Sequence, residues 1–271
     1  MKQNVLKPFL FVAVLVTLVS LACGIDFGTK TAEPPQPVIQ PTQAQQPIQL
    51  PTQQSVQQPT PVPPTAVPPT IPPPPTSKFF KEQFDNNVLS DWTNFVTTGD
   101  SKSNKSKAKV SIENGKLVFD LTDNYLYSYL IYDKQVYDDV RVEVSAYNRG
   151  SHNNNNTSLI CRYSDEGWYE FNITSGGYYI VYAVDTKGLV HKGYNLLIED
   201  ATNAIKMGNE TNVYVAICSG STLKLLINGE DTWSMDERKY GFRDGKVGVS
   251  VSSFNVYPIV VEIDYFDIQL P

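Results

Sequence analysis

The sequence predicts an all-β domain, an antiparallel sandwich or barrel, over residues 78–271. Three observations support this fold class. No stretch of these residues shows a sustained 3.6-residue apolar period. Short alternating or β-branched runs recur instead, separated by turn residues. The segment is also long enough to bury one core, and its length is usual for a single all-β domain.

About ten strands are predicted within this domain. Asn114-Gly115 and Asn228-Gly229 mark tight hairpin turns, because both residue types tolerate positive φ. The Asn-rich segment 149–157 is predicted to be a loop. The predicted strands are 109–112, 116–121, 140–147, 158–164, 168–174, 178–184, 212–218, 223–227, 246–252 and 259–268.

The N-terminus has the three zones of a secretion signal, predicted over residues 1–22. Two lysines provide a positive start, residues 9–22 carry no charge, and the small residues Ser20 and Ala22 precede Cys23. The apolar run is shorter than the roughly 20 residues that a membrane-spanning helix needs.

The string Ser20-Leu21-Ala22-Cys23-Gly24 resembles the lipobox of bacterial lipoproteins. The resemblance implies that Cys23 is acylated, becomes the new N-terminus and anchors the exported protein to the outer face of a bacterial membrane. More than one acyl chain is what stable anchoring requires. Ser20 departs from the pattern, which prefers Leu at that position. The alternative is ordinary cleavage after Ala22, which releases a soluble protein.

Residues 23–77 are predicted to be a disordered stalk. Sixteen of the 19 prolines lie between residues 34 and 75, with many glutamines and threonines among them. Such a segment has too little apolar area to offset its conformational entropy, and its proline runs favour extended polyproline II structure. A proline-rich recognition tract is the alternative, but the arginine and aromatic residues usual in such tracts are absent from residues 34–75.

The charge balance argues against nucleic acid as a partner. The formal net charge is −6, and the basic residues of the domain are spread out. Phosphate binding needs a basic face.

Cys161 and Cys218 lie in predicted strands. In an exported protein, two domain cysteines are predicted to form one disulfide, with two buried free thiols as the alternative. Their spacing matches no zinc pattern. Asp85 and Asp267 are weak calcium candidates, because the first and last strands could bring them together. No other cofactor is expected.

Several segments resemble the concanavalin A-like jelly-roll domains of bacterial surface proteins, relatives of laminin G-like and 3-keto-disaccharide hydrolase-type domains. The resemblance implies a sandwich of two antiparallel sheets. It leaves activity open, because this architecture is found in lectins, glycosidases and adhesion modules. The segments are 160–165 (ICRYSD), 168–173 (WYEFNI), 177–179 (GYY), 215–220 (VAICSG), 223–229 (LKLLING) and 263–267 (IDYFD).

A hairpin with the loop Asp165-Glu166-Gly167, and with Gly167 left-handed, would place Cys161 opposite Phe171 and Arg162 opposite Glu170.

Strand alternation then predicts two faces. Tyr169, Phe171 and Ile173 point into the core, and the other face carries the four candidate ligand-binding residues Arg162, Trp168, Glu170 and Asn172. An aromatic ring beside a carboxylate, an amide and a guanidinium suits sugar recognition, since the ring stacks on a pyranose and the polar groups bind its hydroxyls. The alternative is an Arg162–Glu170 ion pair on a solvated face.

No catalytic motif stands out. The string Glu262-Ile263-Asp264-Tyr265-Phe266 is the nearest match to the Glu-x-Asp-x-Glu strand of family 16 glycosidases, but it lacks the last carboxylate and is interpreted as structural. The hypothesis is therefore a membrane-anchored, non-catalytic binding module for glycans. The alternatives are a glycoside-processing hydrolase of the 3-keto-disaccharide type and an adhesion or sensor ectodomain with a protein ligand.

Overall fold

The computed structural model describes residues 77–271. The predicted signal peptide, Cys23 and all but the last residue of the predicted stalk lie outside the described residues. None of the helical structure within residues 77–271 is long and apolar enough to cross a membrane.

Fifteen strands and one short 3₁₀ helix (Lys105–Lys107) make up the described part of the chain. The strands are β1 (Phe80–Glu82), β2 (Trp92–Thr98), β3 (Ala108–Glu113), β4 (Lys116–Leu121), β5 (Leu126–Tyr137), β6 (Val140–Asn148), β7 (Asn155–Tyr163), β8 (Gly167–Ile173), β9 (Tyr178–Asp185), β10 (Gly193–Ala201), β11 (Thr211–Ser219), β12 (Thr222–Ile227), β13 (Glu230–Asp236), β14 (Gly245–Ser253) and β15 (Ile259–Gln269).

The strands form two antiparallel sheets. The eight-stranded sheet has the order β13-β12-β11-β6-β15-β4-β3, with β1 also paired to β15. The seven-stranded sheet has the order β10-β9-β8-β7-β14-β5-β2. Neighbours such as β6 and β15 or β7 and β14 are far apart in sequence, so long crossovers connect the sheets as in a jelly roll.

The core lies between the inner faces of the two sheets. Phe119 and Val144 of the eight-stranded sheet are fully buried, as are Phe171 and Val249 of the other sheet. Burial of each such side chain contributes about 1.5–3 kcal/mol, so this apolar contact is the main force that holds the sheets together.

The predicted disulfide is confirmed. Cys161 of β7 is bonded to Cys218 of β11, so the bond joins the seven-stranded sheet to the eight-stranded sheet, and the two Cα atoms are 6.6 Å apart. Both residues are buried in the core.

All ten predicted strands are present, and no end differs from the prediction by more than three residues. Both predicted Asn-Gly turns are confirmed, and Asn114 and Gly115 have φ values of 52° and 73°. The predicted loop 149–157 is wrong at its end, because Asn155 already begins β7. The buried amide of Asn156 donates to Asn172 Oδ1 on β8, which gives this polar side chain a partner inside the sheet.

Five strands were not predicted: β1, β2, β5, β10 and β13. The strands β2, β10 and β13 are edge strands with weak apolar alternation, as the half-exposed pattern of β10 illustrates. The long strand β5 is central, but Asp133, Lys134 and Gln135 interrupt its apolar pattern.

Asp85 and Asp267 are not brought into a metal site. Asp267 is paired with Lys81 across β1 and β15 and accepts a hydrogen bond from Gln269, whereas Asp85 lies beside the turn at Gly115. Within residues 77–271 no group of three or more His, Cys, Asp or Glu side chains is arranged to hold a metal ion.

We expect loss of the Cys161–Cys218 bond to lower the free energy of unfolding by about 4 kcal/mol, because the bond closes a long loop of the unfolded chain. The residues are 57 apart in sequence. Urea denaturation with and without reductant measures this loss. The Cys161→Ala/Cys218→Ala double variant is the control, since its midpoint should not respond to reductant. An unchanged midpoint for the reduced wild-type protein would contradict the expectation.

Candidate functional site

A cleft of about 610 Å³ lies on the outer face of the seven-stranded sheet. It crosses the sheet, because its lining residues come from β2, β5, β7, β8, β9 and β10. Three of the four candidate ligand-binding residues, Trp168, Glu170 and Asn172, line it. The other lining residues are Thr97, Thr98, Gly99, Tyr127, Asn156, Ile180, Tyr182, Tyr194 and Phe254.

The alternation predicted along β8 is confirmed. Tyr169, Phe171 and Ile173 are buried in the core, so the intervening side chains point to the outer face. The cross-strand register carries this face over the neighbouring strands, since Ser158 and Ile180 lie opposite Asn172 on either side.

Trp168 packs against a cluster of aromatic side chains on the outer face, separate from the core. Its ring centroid lies 5.1 Å from that of Tyr163 and 6.4 Å from that of Tyr129, and Tyr129 stacks on Phe95 at 4.8 Å. Trp168 stays half-buried. The indole is therefore fixed in orientation while part of its surface faces the cleft.

Glu170 is buried beside this cluster, with 2% of its surface exposed. Its Oε2 accepts hydrogen bonds from Trp168 Nε1 at 2.9 Å and from the hydroxyl of Tyr129 at 3.4 Å. The hydroxyls of Tyr129 and Tyr194 are 2.6 Å apart. A chain of polar contacts thus runs from Trp168 through the carboxylate to Tyr194 on the edge strand.

Burial raises the pKa of Glu170 to about 7, although the hydrogen bonds from Trp168 and Tyr129 act in the opposite direction. No lining residue of the cleft is Lys or Arg, so a nearby cation does not offset the loss of hydration. Burial also raises the pKa of Tyr129 and of Tyr194, and the neighbouring Glu170 carboxylate adds to both shifts.

An amide pair lies on the other side of Glu170. Asn172 Oδ1 accepts hydrogen bonds from Ser158 Oγ at 2.8 Å and from Asn156 Nδ2. The buried Oδ1 of Asn156 has no hydrogen-bond partner among the described residues. Asn156 lines the cleft, but this oxygen itself is buried beneath the surface of the wall.

The loop before Tyr194, between β9 and β10, is held in place by hydrogen bonds. The Asp185 carboxylate accepts hydrogen bonds from the backbone N–H groups of residues 188–191, and these donors lower its pKa despite its burial. Asn195 Nδ2 donates to the carbonyls of Ala183, His191 and Gly193. The start of β10 is therefore well defined next to β9.

The prediction for Arg162 is wrong, because this residue lies outside the cleft with 1% of its surface exposed. Its guanidinium donates to the carbonyl oxygen of Phe242 at 2.9 Å and to that of Asp138 at 3.1 and 3.2 Å. The predicted Arg162–Glu170 ion pair is therefore absent, and Asp139 lies 3.7 Å from the guanidinium.

The cause is a β-bulge. Between Ile160 and Tyr163, β7 has one residue more than the paired segment of β14, and Arg162 has φ 57°. The backbone of Gly245 packs so closely here that a Cβ atom would overlap the Arg162 carbonyl carbon. The extra residue turns the Arg162 side chain to the other face of the sheet.

The predicted hairpin register is also wrong. Ile160, not Arg162, lies opposite Glu170, and Cys161 lies opposite Tyr169. The loop is Ser164–Glu166, and Gly167 begins β8 with nearly extended φ.

Four tyrosines of the site and its support, Tyr127, Tyr129, Tyr182 and Tyr194, were not predicted. Tyr127 and Tyr129 alternate along β5, which is a signal for a common face. The sequence offers no signal that β5 and β10 approach the same cleft from opposite ends of the sheet.

No family model and no curated protein matches the chain. Solved structures do match it. A β-glucanase from Bacillus licheniformis has 13% identity and a TM-score of 0.53 over 73% of this chain and 100% of that one. A product-bound family 16 glycoside hydrolase from Bacteroides ovatus has 11% identity and a TM-score of 0.52 over 70% and 99%. A Bacillus subtilis protein of unknown function with a galectin-like fold has 8% identity and a TM-score of 0.53 over 70% and 94%.

The fold is a concanavalin A-like jelly roll. The similar structures and the two antiparallel sheets confirm the fold class predicted from the sequence. At these identities the likeness describes the fold alone.

We expect Glu170 to make the domain less stable as the pH rises from about 4.5 to about 7. The folded state holds the proton more tightly than the unfolded chain, whose carboxyl has the ordinary value of 4.5. The contribution of protonated Glu170 to the free energy of unfolding is therefore fully present below pH 4.5. About 3 kcal/mol of it is lost by the time the pH exceeds 7.

Urea denaturation of wild-type protein and Glu170→Gln across this range measures the effect. The Gln variant should lack this part of the pH dependence and should be the more stable protein at pH 8. Glu166→Gln, which removes an exposed carboxylate from the adjacent loop, should behave like wild type. Equal pH dependence in wild-type protein and Glu170→Gln would rule out burial of Glu170 as the cause.

Proposed function

We propose that the cleft binds a glycan and that the domain is a non-catalytic carbohydrate-binding module. The observation that carries this proposal is the combination of the partly exposed rings of Trp168 and Tyr194 with polar side chains in the lining of one cleft, namely Thr97, Asn156 and Asn172. Aromatic rings stack on the apolar side of a sugar, and polar side chains beside them bind its hydroxyls.

The structural comparisons support a glycan as the class of ligand. Two of the similar structures are described as a β-glucanase and a family 16 glycoside hydrolase. Because the fold also serves other functions, the residues of the cleft carry the proposal.

The lining of the cleft favours binding over hydrolysis. Glu170 is the one carboxylate among its lining residues, whereas glycosidases of the usual type use two. The Glu262-Ile263-Asp264 segment lies in the eight-stranded sheet, where Glu262 forms ion pairs with Arg149 at 2.9 Å and Lys116 at 3.5 Å. Because the cleft lining holds one carboxylate, a hydrolase of the 3-keto-disaccharide type is the second candidate function and not the first.

The shape of the site favours a sugar over a protein ligand. An adhesion or sensor surface for a protein needs a broad apolar patch. The cleft is a recess instead, with threonine, asparagine and tyrosine groups among its walls.

The proposal also concerns the location of the protein. Acylation of Cys23 would anchor the chain to the outer face of a bacterial membrane, and residues 23–77 would hold the binding domain away from it. The support is the apolar run before Cys23 and the proline content that follows.

The binding proposal predicts selective retention on a polysaccharide array. Trp168→Ala should weaken binding about tenfold, because it removes a stacking ring. Tyr147→Ala is the matched control, since Tyr147 is a half-buried ring on β6, in the other sheet. Circular dichroism should verify that both variants are folded.

Two results would contradict the proposal. Failure of the wild-type protein to bind any polysaccharide on the array would remove the glycan ligand. Release of reducing sugar by wild-type protein, but not by Glu170→Gln, would favour the hydrolase.

The anchoring proposal predicts incorporation of a labelled fatty acid when the full chain is expressed in a bacterium. Cys23→Ala should abolish the label and move the protein from the membrane fraction to the soluble exported fraction. Cys161→Ala/Cys218→Ala, which leaves Cys23 intact, should keep the label. Membrane association of unlabelled Cys23→Ala at the wild-type level would contradict anchoring through this residue.

A further inference from the structure

A second recess, of about 350 Å³, lies at the turn between β8 and β9 and at the end of β10. Tyr178 and Met207 line it, and 56% and 64% of their surfaces are exposed. Thr202 and Asn203 add polar groups to its lining. A tyrosine ring, a thioether and two hydrogen-bonding side chains give this recess the same chemical character as the cleft.

The strand β9 connects the two recesses. Its residues Tyr179, Val181 and Ala183 are buried in the core, so Tyr178, Ile180 and Tyr182 point to the outer face. Ile180 and Tyr182 line the cleft, and Tyr178 lines the second recess. Along a strand, Tyr182 and Tyr178 are about 13 Å apart, a distance that several linked sugars can span but one cannot.

The second recess has a fixed shape. The Thr202 backbone N–H donates to the Gly177 carbonyl at 3.1 Å, and the Gly208 N–H donates to the Ser175 carbonyl at 3.0 Å. The sulfur of Met207 lies 3.1 Å from the position that a Cβ atom on Gly177 would occupy. Gly177 has φ 94°, which favours glycine, and the absence of a side chain there lets the thioether pack closely against the backbone.

The charges around both recesses disfavour an acidic ligand. Neither lining contains Lys or Arg. Glu170 lies in the cleft, and Glu199 lies opposite Ile180 in the register of β9 and β10, between the two recesses. A uronate or sulfate group would find no Lys or Arg in either lining and would lie near the carboxylates of Glu170 and Glu199.

We propose that the Tyr178 recess is a further binding subsite for the same glycan chain, so that the domain recognises an extended internal segment of a neutral polysaccharide. The inference rests on the proposed function of the cleft and specifies its ligand class. Tyr178 stacks on a sugar several units away from the sugar at Trp168, and Ile180 contacts the units between them.

The test measures the affinity of the full chain for neutral mixed-linkage β-glucan oligosaccharides, from disaccharide to octasaccharide, by isothermal titration calorimetry. We expect affinity for wild-type protein to rise until the oligosaccharide spans both recesses. Tyr178→Ala should weaken binding of the octasaccharide about tenfold and leave the trisaccharide unchanged, because only the longer ligand reaches that ring. Tyr178→Phe, which retains the ring, should keep most of the gain with length.

Matched variants and ligands separate the outcomes. Trp168→Ala should weaken the binding of oligosaccharides of every length. Tyr147→Ala should leave the affinity for each of them unchanged. An oligogalacturonate series should bind more weakly than the neutral series at each length. An affinity that stops rising at the trisaccharide, or an octasaccharide affinity that Tyr178→Ala leaves unchanged, would overturn the inference while the proposed function stands. Absence of binding at every length would overturn the inference, and the proposed function would fall with it only if the polysaccharide array also showed no binding.

Discussion

Burial of the inner faces of two antiparallel sheets is the constraint on which the rest of the structure depends. Every second residue of β8 and β9 must enter the core, and the residues between them are thereby directed to the outer face. Phe171 and Val181 secure this alternation, since a slip by one residue would expose them and bury their polar neighbours. The positions of Trp168, Glu170 and Tyr182 in the cleft are consequences of core packing.

The cleft combines rigidly packed aromatic rings with buried polar groups that lack some of their usual partners. The aromatic cluster of Phe95, Tyr129 and Tyr163 fixes the indole of Trp168, so little side-chain entropy would be lost when a ligand stacks on it. Glu170 and Asn156 are less well satisfied. Among residues 77–271, no Lys or Arg lines the cleft beside the buried carboxylate, and the Asn156 oxygen has no hydrogen-bond partner. Such local departures from the best packing are expected where a protein binds something.

The two sheets have different roles. The outer face of the eight-stranded sheet carries ion pairs such as those of Glu262, and the outer face of the seven-stranded sheet carries rings and amides. Solvated ion pairs contribute little to stability but keep a sheet face soluble. The disulfide between β7 and β11 joins the two sheets directly behind the hairpin that carries Trp168.

The sequence by itself determined the fold class, ten of the fifteen strands of residues 77–271, both Asn-Gly turns and the Cys161–Cys218 pair, because these depend on local patterns and on one long-range pairing between the two cysteines of the domain. It also determined that Trp168, Glu170 and Asn172 share a face, since strand alternation is a local property. Only the tertiary structure decided the position of Arg162, which a bulge against Gly245 turns away from the cleft. It alone decided that Tyr129 and Tyr194, from β5 and β10, complete the surroundings of Glu170, because strand order within a sheet is set by core packing across long stretches of sequence.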